Sequence, residues 1–104
     1  MVNNARYSII WEVGALNNLK EILQYLSKQS VSAPKIVKAG VLNSIKTLER
    51  TPFIYEADKL RFPLNKNYRA IIVFSYRISY LVKPDSKEIL ILRLRHMSRE
   101  PLGY

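Results

Sequence analysis

The sequence predicts an α+β fold: an N-terminal strand, an antiparallel helical hairpin, then a three-stranded antiparallel meander, with the helices packed on one sheet face. Two observations carry the architecture. Apolar residues recur at three- and four-residue spacing over 16–26 and again over 37–48, the period of helices with one buried face. After Asn67, three runs rich in β-branched and aromatic residues follow one another across short turns. A third observation, the 104-residue length, leaves room for a single core, so residues 1–104 read as one domain.

Tyr7–Trp11 (YSIIW) is a short β-prone run. In the first helix Leu16, Leu19, Leu23 and Leu26 form the apolar stripe, widened by Ile22 and Tyr25. Asn17, Asn18, Lys20, Glu21, Gln24 and Lys28 fill the other face, and polar and β-branched residues break the helix over 27–32. The second helix starts near Ser32 as N-cap, with Pro34 in a first turn that needs no N–H there. Its stripe is Val37, Val41, Ile45 and Leu48, helped by Ile36, and Pro52 stops it. Gly40 inside this stripe costs about 1 kcal/mol relative to alanine, which points to close contact with the first helix. Residues 51–66 are aperiodic and read as a surface loop. The strands are Tyr68–Phe74, Tyr76–Val82 and Glu88–His96, with Pro84-Asp85-Ser86-Lys87 a clear turn and Ser75 a weaker break.

The chain has no cysteine, which excludes a disulfide framework and thiolate zinc sites. No apolar run reaches the roughly 18–20 residues of a membrane span, and the first residues show no secretory pattern, so the expectation is a cytoplasmic protein with no membrane partner. The net charge of +9 is uneven: residues 1–58 carry +2 and residues 59–104 carry +7. Such a basic half favours a polyanionic partner, nucleic acid or an acidic protein segment, over a merely solubilising charge.

Side chains alternate across a strand, so parity sorts the arginines. In the second of the three strands Tyr76, Ile78, Tyr80 and Val82 share one face, and Arg77, Ser79, Leu81 and Lys83 the other. In the last strand the row Leu90, Leu92, Leu94 suits the helix-packed core, with Ile89, Ile91, Arg93 and Arg95 opposite. Arg77, Arg93 and Arg95 then meet on the face away from the helices. Burying them without partners would be prohibitive, so that face meets water or a partner. Arg69 shares its side with Ile71 and Val73.

These features resemble the RelE/ParE superfamily of bacterial toxins from type II toxin–antitoxin (plasmid-stabilisation) systems. The resemblance is carried by Tyr76-Arg77-Ile78 with Tyr80 following, a turn, an apolar strand, and the ending Arg95-His96-Met97-Ser98-Arg99-Glu100-Pro101. It implies a cytoplasmic toxin neutralised by a cognate antitoxin. It also implies one of two targets: mRNA on the ribosome, cut without a metal, or DNA gyrase, inhibited without chemistry. The long hairpin from Leu16 to Arg50 resembles the ParE branch, and the arginine set with His96 resembles the RelE branch. The alternative outside the family is a non-catalytic basic nucleic-acid-binding module.

Metal-free RNA cleavage needs a base for the 2′-hydroxyl, positive charge on the phosphate and an acid for the leaving oxygen. Arg77 matches the arginine that phosphate-cleaving relatives place on this strand. The candidate catalytic set is therefore Arg77 and Arg93 on the phosphate, with His96 moving the proton; Arg69, Arg95 and Arg99 are candidates for target binding. The lysines that RelE-like members carry on the preceding strand are replaced here by Tyr68 and Ala70. Glu56 and Asp58 are alternative carboxylate bases, and Tyr104 matches a C-terminal tyrosine used by some ribonuclease relatives. Nothing has metal-ligand spacing or a phosphate-cradling glycine loop, so no metal and no cofactor is expected.

Overall fold

Glu88–His96 holds the run Ile89 to Leu92, apolar at both parities, which is the pattern of a strand flanked by others. The computed structural model, which describes residues 6–55 and 65–99, places it accordingly. The elements are β1 (Ser8–Trp11), α1 (Val13–Ser27), α2 (Ala33–Lys46) with a 3-10 turn at Thr47–Glu49, β2 (Tyr68–Val73), β3 (Tyr76–Lys83), β4 (Glu88–His96) and a closing 3-10 turn at Met97–Arg99. The sheet order is β1-β4-β3-β2. The meander β2-β3-β4 is antiparallel, as its short turns require, and β1 adds to β4 in parallel from Ser8 opposite Glu88 to Trp11 opposite Ile91. Among the described residues no helix is long and apolar enough to cross a membrane.

Both helices lie on one sheet face, but their buried stripes differ from the sequence pattern. In α1 the buried residues are Ala15 and Leu19, with Ile22, Leu23 and Leu26 packed beside them, while Leu16 and Tyr25 are exposed. In α2 Val37, Val41 and Ile45 are buried, as is Leu48 just beyond, and Ile36 is exposed. The capping oxygen of α2 belongs to Ser30: its Oγ accepts from the N–H of Ala33 at 3.2 Å, and Ser32 makes no side-chain cap. The α-helix also stops before Pro52. It tightens at Lys46, where Thr47 Oγ1 donates to the carbonyl of Ser44 at 2.7 Å.

Gly40 touches the sheet rather than α1. A Cβ there would collide with the ring of Phe74, whose turn joins β2 to β3. That turn is built on Phe74 and Ser75, both at positive φ (51° and 70°), the signature of a two-residue hairpin turn made here without glycine or asparagine. Gly40 gives the ring its seat. Gly40→Ala is therefore expected to raise stability by about 1 kcal/mol, the helix-propensity gain, only in a Phe74→Ala background. In the native background the displaced ring offsets that gain, and the coupling appears in a double-mutant cycle of urea unfolding.

The strand facing also departs from simple alternation. Tyr76, Ile78, Tyr80 and Val82 face the core as parity requires. In β4, however, Ile89 and Ile91 are fully buried, and Leu90 and Leu92 are only partly covered. The register explains the correction: Tyr80 pairs with Ile91 but Ser79 with Arg93, so Leu92 is an extra residue, a β-bulge. Parity reverses there. Ile89 and Ile91 point in before it, Leu94 points in after it, and Arg93 and Arg95 point out.

Candidate functional site

Register brings three arginines to the open sheet face. Arg77 on β3 pairs directly with Arg95 on β4, and Ser79, two residues on, pairs with Arg93. Ser79 is small and nearly buried (6%), which leaves the surface above it to the longer side chains. Ile72 of β2, opposite Arg77, is exposed beside them. Glu88 is the one carboxylate in the four strands, and it lies at the far end of the face, opposite Lys83. Like charges placed directly across a sheet oppose pairing, so the Arg77–Arg95 juxtaposition costs stability. It also concentrates positive potential on one surface.

The second feature lies at the edge of β4. Strand β1 ends opposite Ile91, and beyond that point α1 runs alongside β4. A cleft of roughly 490 Å³ opens between them, lined by Glu21 and Tyr25 from α1 and by Arg93, Arg95, His96 and Ser98. Asn18, Glu21, Ile22 and Tyr25 all line it and fall at i, i+3, i+4 and i+7, one face of the helix. That spacing was visible in the sequence, but nothing there showed that this face meets β4. His96 points to the helix side, opposite Tyr76, with the two rings perpendicular and 5.2 Å apart. Its Nδ1 lies 2.8 Å from Ser98 Oγ and 3.1 Å from the Ser98 backbone nitrogen, which together orient the ring. The cleft thus sets a carboxylate, an imidazole and two guanidiniums around one space. Arg77 does not line it. Among the described residues no group of three or more His, Cys, Asp or Glu could hold a metal ion.

A family model described as the ParE toxin of type II toxin–antitoxin systems, parDE, matches residues 9–101. The chain belongs to the ParE toxin family. It is similar in fold to the chromosomal ParDE system of P. aeruginosa, with a TM-score of 0.66 and 18% identity over 89% of this chain and 98% of that one. The archaeal RelE–RelB complex of Pyrococcus horikoshii OT3 gives 0.63 and 21% over 91% and 99%. The toxin–antitoxin complex RelBE2 of Mycobacterium tuberculosis gives 0.62 and 22% over 88% and 98%. No curated protein sequence matches the chain.

In this ParE-family chain Arg69 stands apart from the other arginines. It pairs with Tyr80 on the helix side of the sheet. Its Nε donates to the carbonyl of Lys66 at 2.8 Å, its Nη1 donates to the carbonyls of Tyr55 and Phe53, and its guanidinium lies 4.7 Å over the Phe53 ring. Arg69 therefore fastens the segment 51–55 to the sheet. The side chain of Arg99 is outside the described residues, as are Glu56, Asp58 and Tyr104.

Tyr80, fully buried, is held by the same clasp, its hydroxyl donating to the carbonyl of Pro52 at 3.5 Å. Burial pushes its hydroxyl well above the ordinary tyrosine range, against the opposing pull of the Arg69 charge; Tyr55 adds a smaller upward push. Tyr80 stays protonated and serves the fold. Because the folded state holds this proton more tightly than the unfolded chain, its contribution is fully present below about pH 10 and is lost as pH rises above that. Tyr80→Phe is expected to flatten the fall in stability between about pH 10 and pH 12 in urea titrations. An unchanged slope would assign the alkaline loss to other groups.

Proposed function

We propose that this ParE-family toxin acts by docking its arginine face on DNA gyrase, without chemistry, in the cytoplasm, and that a cognate antitoxin protein neutralises it. The observation that carries the reading is the division across the sheet: Arg77 and Arg95 are cross-strand neighbours on the open side, and His96 lies on the other. A guanidinium pair of this kind suits planar, bidentate grip on carboxylates or phosphates. The family match supports the ParE branch, and the likeness to chains from ParDE, RelBE2 and RelE–RelB assemblies supports an antitoxin partner.

A second reading rests on the cleft. There Glu21 is the candidate base, His96 the candidate acid and Arg93 the phosphate ligand of a metal-independent ribonuclease acting on the ribosome. One pair of assays separates the two. With purified gyrase, the docking reading expects supercoiling to stop and stalled cleavage complexes to build up, while translated mRNA in induced cells stays full-length. Unaltered supercoiling together with fragmented mRNA overturns it in favour of the cleft.

A further inference from the structure

We infer that Asn18 is a positioning residue for the arginine surface: its side-chain amide holds the bulge of β4 that aims Arg93 and Arg95 outward. The inference rests on the reading of that surface as the working face and adds the device that sets it.

The argument starts from parity. With Ile89 and Ile91 buried against the helices, an uninterrupted β4 would send residues 93 and 95 to the same side, into the core. Two buried guanidiniums are not tolerable there, yet the straight pairing is only one residue away. In that slipped pairing Arg93 would stand opposite Ile78 and Leu94 opposite Arg77. In the observed pairing Leu94 stands opposite Ile78 and Arg95 opposite Arg77. The difference is the single extra residue, Leu92.

Something must hold the bulge from the other side, because β1 ends at Trp11 and leaves β4 without a strand neighbour beyond Ile91. Asn18 supplies it. The N–H of Leu94, the first core-facing residue after the bulge, donates to Asn18 Oδ1 at 3.1 Å. The side-chain amide thus takes the place of a peptide carbonyl from the missing strand. This is a contact between residues 76 apart in sequence, made by a half-buried polar side chain where α1 meets β4. Asn18 also lines the cleft beside Arg93 and Arg95, so the tether and the side chains it aims share one place.

The test uses three variants of the whole chain. Asn18→Leu keeps the bulk and removes the acceptor; it is expected to speed exchange of the Leu94 amide about tenfold, to weaken the Arg77–Arg95 cross-strand NOEs as the bulge loosens, and to reduce growth inhibition. Asn18→Asp keeps an oxygen acceptor and is expected to keep slow exchange and the native NOEs. Deletion of Leu92 makes β4 regular, with Arg93 and Arg95 outward and no bulge to hold. In that background Asn18→Leu is expected to cost no further growth inhibition, an outcome that a purely structural role for Asn18 does not produce. Native NOEs and slow Leu94 exchange in Asn18→Leu overturn the inference, whatever the deletion does. If the bulge loosens as expected but Arg95→Ala leaves growth inhibition intact, the positioning stands and the arginine-face reading fails.

Discussion

Ile91→Ala is expected to lower the unfolding free energy by about 2–5 kcal/mol, and Leu90→Ala by about 1 kcal/mol or less. The two residues are neighbours of the same strand and nearly the same chemistry, so the contrast tests the facing of β4 alone. Ile91 is fully buried opposite Tyr80 and beside Trp11, in the middle of the layer covered by the helices. Removing its side chain leaves a cavity bounded by a sheet neighbour on each side, which cannot close without moving two strands. Leu90 lies on the open face between Ile10 and Leu81 and loses only partial cover. For a domain of this size each kcal/mol corresponds to about 4–8 °C in Tm, so Ile91→Ala should melt at least roughly 8 °C lower. Equal losses for the two variants, or the larger loss for Leu90, would restore the facing that strict alternation implies.

That facing marks the limit of what the residues alone disclose. The element order, the helical periods and the outward arginines were legible because each rests on local chemistry: stripe spacing in α1 and α2, β-branched runs, and the high cost of a buried guanidinium. Core membership in β4 was not, since Ile89 to Leu92 is apolar at both parities and carries no sign of which leucine is the extra one. Simple alternation put Arg93 and Arg95 on the correct face while assigning Ile89 and Ile91 to the wrong one. The right and the wrong assignment belong together, because the bulge lies between those two pairs of residues. The Phe74–Ser75 turn was equally opaque, lacking the glycine or asparagine that usually marks positive φ; it depends on Gly40, 34 positions earlier, to seat the Phe74 ring. Asn18 and Glu21 read as solvated helix residues because their role exists only once α1 lies along β4. Tertiary contact made the cleft.

Arg95→Glu is expected to abolish growth inhibition while leaving the fold as stable as before, or more stable by about 0.2–1 kcal/mol. The two effects have opposite signs for one reason. In the native sheet Arg95 faces Arg77 directly across the strand pair, a like-charge contact that works against pairing. A carboxylate at that position turns repulsion into attraction within the sheet and simultaneously presents a negative charge to any anionic target. Losing one charged anchor of a desolvated interface costs about 2–5 kcal/mol, roughly 30-fold to several-thousand-fold in affinity, and reversing its sign costs more. Arg77→Ala should weaken inhibition in the same direction without the added repulsion. Induced growth on plates reads the first effect and thermal unfolding reads the second; raised salt, which screens the surface charges, should narrow the affinity gap between Arg95→Glu and the native chain. A domain whose arginines served only solubility would show neither a loss of inhibition nor a salt-dependent gap. A loss of inhibition accompanied by a drop in Tm would place Arg95 among the residues that hold the sheet together.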